Sequence, residues 1–224
     1  GGKEPLMTGN HRTAAAEPLV LIVPGLNGSG PSHWQTLWER QMPDSARVDL
    51  GAWDDPHRNT WVNRLNLAIH KARRPVFLVA HSLACHLVSW WSEYEQPGHD
   101  GPVRGALLVA PPEVEKGEVD PRLARFAPVL KNPLPFPSIL AASRDDPYIG
   151  FDRARRLARI WKSRFVDAGW LGHVNADSGI RDWPFGQFLL RQLRAAAEPA
   201  NAPLLHGRNY ATLRSQASSE RPAT

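Results

Sequence analysis

Two kinds of hydrophobic pattern alternate along this chain. Short runs of apolar and β-branched residues, four to eight long, are separated by longer stretches in which apolar residues recur every three or four positions. The short runs are typical of buried strands, and the longer stretches are typical of helices that pack by one face. Their alternation predicts an α/β fold, with a mostly parallel central sheet and helices on both of its faces.

The elements follow from these patterns. Strands are predicted over residues 19–23, 47–50, 76–80, 103–110, 138–142 and 164–167. Helices are predicted over residues 34–42, 61–74, 83–91, 123–126, 152–161 and 185–193. The run 76–80 is continuously apolar, as expected of a central strand buried on both faces. The helix after it is apolar nearly all round and is expected to be buried as well.

The length of 224 residues suits one domain with a sizeable core. We predict that residues 19–195 form this domain. Residues 1–18 are expected to be an N-terminal extension, whose first six residues we interpret as a remnant of cloning. Residues 196–224 are polar and contain Ala, Ser and Pro, so they are predicted to be a disordered C-terminal tail.

The composition is that of a soluble globular protein, with 42% hydrophobic and 22% charged residues. A net charge of +5 permits weak attraction to polyanions, but no nucleic-acid-binding motif accompanies it. The densest basic run is interpreted as the solvated face of an amphipathic helix and comprises Arg153, Arg155, Arg156 and Arg159. No run reaches the length of a membrane span, and no secretory signal is present. We therefore expect a cytoplasmic protein without a nucleic-acid or membrane partner; a protein partner stays open.

The turn between the central strand and the buried helix carries a candidate nucleophile, Ser82. A serine on such a sharp turn is held out at the carboxyl end of the strand, with small flanking residues that let strand and helix approach. The usual pattern is G-x-S-x-G, and here Ala80 and Ala84 replace the glycines. The alternative is a serine that only caps the helix.

A candidate acid and a candidate base follow in the chain order that this fold uses, serine first, then acid, then histidine. The strand 138–142 is followed by Asp145 and Asp146, and the last strand is followed by a glycine-flanked loop that ends in His173. A serine hydroxyl needs a base to take its proton, and the base needs a carboxylate to orient it. We predict Ser82, His173 and one of the two aspartates as a triad.

The turn after the first strand, residues 24–30, is rich in glycine. It can supply one of the two backbone N–H groups of an oxyanion hole, and we predict Leu26 and Leu83 as the donors. Neither phosphate-binding glycine motif fits this turn. Pocket residues are expected nearby, namely Asn27, His33, Trp34 and His81. For His33 a capping or packing role is the favoured alternative.

No metal site and no cofactor are predicted. His81 and His86 flank the serine, but no H-E-x-x-H motif or Cys/His cluster is present. The single cysteine, Cys85, excludes an intrachain disulfide and lies in an apolar helical stretch. We interpret it as a buried structural thiol.

Several blocks of the sequence, spread over residues 19–193, resemble the small serine hydrolases like retinoblastoma-binding protein 9, in particular their bacterial members. The blocks begin at Pro24, Ala80, Leu108, Pro133, Ala142 and Gly172. The resemblance implies a compact α/β-hydrolase fold and a Ser82–Asp146–His173 triad, and it favours Asp146, the aspartate before proline, over Asp145. Ala84 departs from the glycine that is common at this turn.

From these observations we predict a serine hydrolase that cleaves small carboxylic esters or thioesters through an acyl-enzyme. The substrate is expected to be a small acyl compound. Two alternatives stay open at this point. One is an amidase or peptidase that uses the same triad, and the other is a weakly active or non-catalytic protein-binding module on the same fold.

Overall fold

A computed structural model of the chain describes residues 17–198. In this range six parallel strands form one sheet, in the spatial order β2-β1-β3-β4-β5-β6. The strands are β1 (Leu19–Val23), β2 (Ser45–Arg47), β3 (Val76–His81), β4 (Val103–Val109), β5 (Ser138–Ala142) and β6 (Arg164–Asp167). The sequence-based prediction of a compact α/β-hydrolase fold is confirmed.

Helices connect these strands and cover both faces of the sheet. They are α1 (Trp34–Gln41), α2 (Arg58–Ala72), α3 (Leu83–Glu95), α4 (Pro121–Ala124), α5 (Phe151–Trp161) and α6 (Pro184–Ala196), and a 3-10 turn lies at Ala176–Ser178. Apolar residues of α2, α3 and α5 pack in one core cluster, and those of α1 and α6 pack in a second. The sheet separates the two clusters.

Strand β3 lies between both cores, as its continuous apolar run predicts. All six of its residues are buried. Leu78 and Ala80 face the first core, whereas Phe77 and Val79 face the second, because successive side chains of a strand point to opposite faces. Since the sheet is parallel, the carboxyl ends of its strands meet at one edge, which is where ligands bind in open α/β sheets.

The second strand was predicted too late in the chain. The structure pairs Ser45–Arg47 with β1, and the ladder stops there, although Val48 still donates its N–H to the carbonyl of Ile22 at 2.9 Å. Val48 and Leu50 are buried in the first core. These two residues are therefore apolar because they are buried in the core after the end of β2, and not because they belong to the strand.

The basic run on α5 is only partly a solvated face. Arg155, Arg156 and Arg159 are exposed. Arg153 is not, because its guanidinium lies 2.9 Å from Glu113 and 3.0 Å from Glu115 and its side chain is only 15% exposed. The interpretation of Arg153 as a solvated residue is therefore wrong; it ties α5 to the segment after β4.

The predicted helix over residues 123–126 begins earlier, at Pro121. The side chain of Asp120 accepts a hydrogen bond from the Arg122 N–H, which caps the helix there. Residues 1–16 of the predicted extension and residues 199–224 of the predicted tail lie outside the described residues. None of the helices in residues 17–198 combines the length and the apolar character needed to cross a membrane.

Candidate active site

Ser82 occupies a strained turn between β3 and α3. Its backbone has φ 58° and ψ −127°, a conformation that L residues rarely adopt and that is retained mainly at functional sites. Ser82 precedes the first residue of α3, yet its side chain makes no capping hydrogen bond to that helix. The geometry therefore does not support the capping alternative. Ala80 and Ala84 are fully buried on either side, so the turn accommodates both methyl groups.

Three predicted residues come together at the carboxyl edge of the sheet. His173 Nε2 lies 2.8 Å from Ser82 Oγ, and its Nδ1 lies 3.0 Å from both carboxylate oxygens of Asp146. The carboxylate accepts, so Nδ1 carries a proton and the neutral ring presents a lone pair at Nε2 to the serine hydroxyl. The arrangement can deprotonate Ser82 and stabilise the imidazolium that forms.

The two neighbouring aspartates differ in burial and in hydrogen-bond partners. Asp146 is buried, with a side chain only 1% exposed, and Oδ1 also accepts the N–H of Tyr148 at 2.9 Å. Asp145 is exposed. Its Oδ1 accepts the N–H of Gly172 at 2.9 Å and the hydroxyl of Ser143 at 2.8 Å. The Gly172 hydrogen bond, followed by that of Ser143, lowers the pKa of Asp145. Asp145 thus anchors the loop that carries the histidine.

The two amides expected to form an oxyanion hole are free to bind one. Among the residues that the structure describes, neither Leu26 nor Leu83 donates its backbone N–H to an acceptor. Gly25 brings the two segments together. A Cβ on Gly25 would lie 2.8 Å from the carbonyl oxygen of His81 and 3.1 Å from the nitrogen of Leu83, so only glycine fits.

His81 fastens the histidine loop to the end of β3. Its Nε2 lies 2.9 Å from the main-chain carbonyl of His173, and since a carbonyl only accepts, Nε2 is the donor. Burial, with smaller contributions from His33 and His173, places the pKa of His81 well below its usual value. The ring is therefore neutral near pH 7, and Nδ1 is an acceptor.

His33 both caps α1 and lines the cavity. Its Nδ1 accepts the N–H of Gln35 at 3.0 Å, which leaves the proton on Nε2 in the neutral ring. Burial lowers the pKa of His33 to about 4, and the charges of Arg47 and His173 contribute. Within residues 17–198 the Nε2 has no hydrogen-bond partner, and the ring packs against His81 at a centroid distance of 4.7 Å.

These side chains surround a cavity of about 320 Å³. Asn27, His33 and His81 line it, together with Ser82 and His173. Trp34 does not: it is fully buried in the second core, where its Nε1 donates to the carbonyl of Val174 at 2.8 Å. The expectation for Trp34 is corrected accordingly, because the helical stripe marks the buried face of α1 rather than the cavity wall.

Other lining residues were not predicted. They come from the segment after β4 and from the loops after β5 and β6, and they include Asp120, Arg122, Leu123, Tyr148, Asn175 and Asp177. Tyr148 and Asn175 follow the predicted acid and base by two residues, which is the one signal that could have identified them. The ring of Tyr148 lies 4.5 Å from that of His173.

Cys85 takes no part in this site. It is fully buried in α3, with Sγ 3.4 Å from the carbonyl of Val109, and burial raises the pKa of its thiol. A buried thiol with a raised pKa is unreactive. Over residues 17–198 no group of three or more His, Cys, Asp or Glu side chains is arranged to hold a metal ion.

The sequence of this domain is similar to those of known proteins. The sequence model of a family described as serine hydrolase matches residues 20–192. The protein YdeN of Bacillus subtilis (strain 168), described as a hydrolase, is 24% identical over an alignment of 180 residues, and the match covers 74% of this chain and 90% of that protein. Both matches extend over most of the α/β domain.

Solved structures of hydrolases also resemble this chain. The crystal structure of a YdeN-like hydrolase from Pectobacterium atrosepticum is 33% identical, with a TM-score of 0.68, and the match covers 82% of this chain and 94% of that chain. Est1E from Butyrivibrio proteoclasticus has a TM-score of 0.61 over 81% of this chain and 90% of that chain. At 13% identity, Est1E supports the fold alone.

Proposed function

The chain belongs to the serine hydrolase family, and from that premise we propose that it hydrolyses small carboxylic esters or thioesters through an acyl-enzyme on Ser82. The observation that carries the proposal is the line of hydrogen bonds from Ser82 Oγ through His173 to Asp146. This line, next to the amides of Leu26 and Leu83, which have no acceptor within residues 17–198, is the arrangement that acyl transfer requires.

In the proposed acylation step, Ser82 Oγ attacks the acyl carbon and its proton passes to His173 Nε2. The carbonyl oxygen becomes an oxyanion and is held by the N–H groups of Leu26 and Leu83. The bond from the acyl carbon to the leaving oxygen or sulfur then breaks, and His173 gives that atom the proton. Asp146 stabilises the imidazolium throughout.

In deacylation, water replaces the alcohol or thiol. His173 takes a proton from the water as it attacks the acyl-enzyme, and then returns that proton to Ser82 Oγ as the carboxylic acid leaves. The free amide donors at Leu26 and Leu83 serve both steps, because both pass through an oxyanion on the same carbonyl.

The size of the cavity supports a small substrate. A volume of about 320 Å³ lies at the lower end of the range for ligand sites. Within the family, we place the chain with the bacterial hydrolases like retinoblastoma-binding protein 9. Support for this placement comes from the sequence blocks around Pro24, Ala80 and Gly172.

The experiment that tests the proposal is labelling by a fluorophosphonate, beside Ser82→Ala and beside Ser92→Ala as a matched change further along α3. Wild type and Ser92→Ala should label and turn over esters. Ser82→Ala should lose labelling, and its kcat should fall about a thousandfold or more with little loss of stability. A folded wild-type protein that stays unlabelled would overturn the proposal in favour of a non-catalytic binding module.

A further inference from the structure

A second depression, here called the rear groove, adjoins the cavity at Ser82 on the side of His173. The rear groove has a volume of about 470 Å³ and is walled by Pro147, Tyr148, Trp170 and Leu171. It shares four lining residues with the main cavity, and these are Tyr148, His173, Asn175 and Asp177. The two spaces therefore adjoin each other at these residues.

Two large exposed aromatic residues line the rear groove. Trp170 is 71% exposed and Tyr148 is 52% exposed. The other large apolar residues described as strongly exposed lie on helices, away from either cavity, and are Leu67, Tyr94, Phe185 and Phe188. An exposed aromatic pair beside a catalytic site marks a binding surface more than a packing surface.

Trp170 is held in its exposed position by the loop around it. Gly169 accepts the N–H of Arg144 at 2.7 Å through its carbonyl, and the N–H of Leu171 donates to Ser143 Oγ at 2.9 Å. Gly172 donates to Asp145. The loop is thus held on both sides of the tryptophan, so binding there requires little further ordering of the loop backbone.

We propose that the rear groove is the leaving-group subsite and that it takes an aromatic, uncharged alcohol or thiol portion of the substrate. This inference rests on the proposed function. The leaving atom must receive its proton from His173, so the leaving group lies against that residue during acylation. Leu26 and Gly28 of the oxyanion turn line the main cavity but not the rear groove, so the acyl portion remains with the main cavity.

The chemistry of the walls selects the class of leaving group. The faces of Trp170 and Tyr148 favour a planar aromatic ring by stacking and by burial of apolar area. The described residues that line the rear groove include neither lysine nor arginine, and Asp177 places a negative charge there. An anionic leaving group is therefore disfavoured.

The first measurement compares two acetate esters whose alcohols have similar acidity, 2-naphthylmethyl acetate and 2-methoxyethyl acetate. The ratio of their kcat/KM values should fall about tenfold or more in Trp170→Ala. Leu67→Ala is the control, because Leu67 is similarly exposed, at 67%, on helix α2. In Leu67→Ala the ratio of the two kcat/KM values should match that of the wild type. An unchanged ratio in Trp170→Ala would overturn the assignment.

The second measurement decides which side of the scissile bond the groove serves. Methyl acetate and methyl 2-naphthoate share a leaving group and differ in the acyl portion. Their ratio of kcat/KM should stay within about twofold in Trp170→Ala. A selective loss on the naphthoate would overturn the leaving-group assignment and place the aromatic site on the acyl side.

A third measurement does not depend on turnover. Binding of 2-naphthylmethanol, titrated by NMR, is compared between Ser82→Ala and the double variant Ser82→Ala with Trp170→Ala. Affinity should fall about tenfold in the double variant, and equal affinity overturns the groove assignment. Failure of the proposed function would give a different result, since the fluorophosphonate would then not label the wild-type protein.

Discussion

His81 Nε2 donates a hydrogen bond to the main-chain carbonyl of His173 over 2.9 Å, across 92 positions of the chain. His81 is the last residue of β3 and directly precedes Ser82. The strand that positions the proposed nucleophile therefore also positions the loop of the proposed base. The relative placement of the two groups depends on this one imidazole as well as on their own hydrogen bond.

Replacement of His81 by Phe removes the donor and keeps an aromatic ring of similar size. We expect kcat to fall about tenfold, with a smaller change in KM, because a small displacement of the base mainly affects the chemical step. His81→Gln retains an N–H donor and should recover part of the loss. Equal kcat values for the two variants would show that the hydrogen bond does not position His173.

The two adjacent aspartates allow a matched test. Asp146→Asn should lower kcat by about 10³ to 10⁴, because the amide cannot hold the imidazole in the required tautomer or stabilise its charge. Asp145→Asn should cost less than about tenfold, since its Oδ1 can still accept from Gly172 and Ser143. Steady-state kinetics on both variants would measure the contrast. Similar losses would leave the acid unassigned.

Gly25 and Gly30 lie in the same turn and differ in the space around them. A Cβ at Gly25 would meet the His81 carbonyl at 2.8 Å, whereas a Cβ at Gly30 would meet nothing within 4 Å. Gly25→Ala should displace the amide of Leu26 and lower kcat about a hundredfold, the effect of a lost oxyanion donor. It should also lower the melting temperature.

Gly30→Ala is the control for this prediction, and its melting temperature should match that of the wild type because the added Cβ meets no protein atom within 4 Å. Gly30 lines the cavity, so some change in kcat is allowed, but the loss should be far smaller than that of Gly25→Ala. If Gly25→Ala keeps full activity, the turn after β1 does not supply an oxyanion donor. If both variants lose activity to the same extent, the effect comes from general rigidity of the turn and not from the contact with His81.

Because His86 is buried and its pKa is lowered, we expect the stability of the protein to depend on pH. The residue is buried in α3, its Nε2 donates to the carbonyl of Pro112 at 2.7 Å, and burial lowers its pKa to about 4 from 6.5. Between these pH values the unfolded chain binds a proton there and the folded protein does not. The free energy of unfolding therefore falls as pH is lowered from about 6.5 to about 4, by at most about 1.4 kcal/mol per pH unit.

Denaturant unfolding at several pH values checks this prediction. His86→Gln keeps a donor for Pro112 and removes the titrating group. The slope of the free energy of unfolding against pH should therefore decrease by up to about 1.4 kcal/mol per pH unit, which corresponds to one proton. His70→Gln, at an exposed histidine of α2, is the matched change. Equal slopes for His86→Gln and the wild type would contradict the assignment. His33 and His81 act in the same direction, so some dependence should persist in the variant.

The parallel sheet explains how much of the site could be predicted. Ser82, Asp146 and His173 each follow a strand, and the carboxyl ends of parallel strands meet at one edge, so their convergence follows from the chain order. The residues alone did not decide between Asp145 and Asp146, because a shift of one position in a turn reverses the direction of a side chain. Tertiary contacts make that choice.

The segment between β4 and β5 shows what the sequence could not predict. Asp120, Arg122 and Leu123 reach the cavity from it, although it has no clear periodicity. Its path is fixed by distant contacts, such as Arg122 to the carbonyl of Asp54 and Arg125 to Asp55 and Pro56. Trp34 is the converse case: a helical stripe identifies a buried face but not which neighbour covers it.

The lining of the main cavity is divided among the segments that follow five successive strands of the sheet. The lining residues after β1 are Leu26, Asn27, Gly28, Gly30 and His33, and those at and just beyond the end of β3 are His81 and Ser82. Those after β4 are Asp120, Arg122 and Leu123, the one after β5 is Tyr148, and those after β6 are His173, Asn175, Ala176 and Asp177. Each of these segments can change in length or composition while the two cores beneath remain intact. Selection, natural or in the laboratory, can therefore alter what this scaffold accepts one loop at a time, and the evolvability of the enzyme is built into its topology.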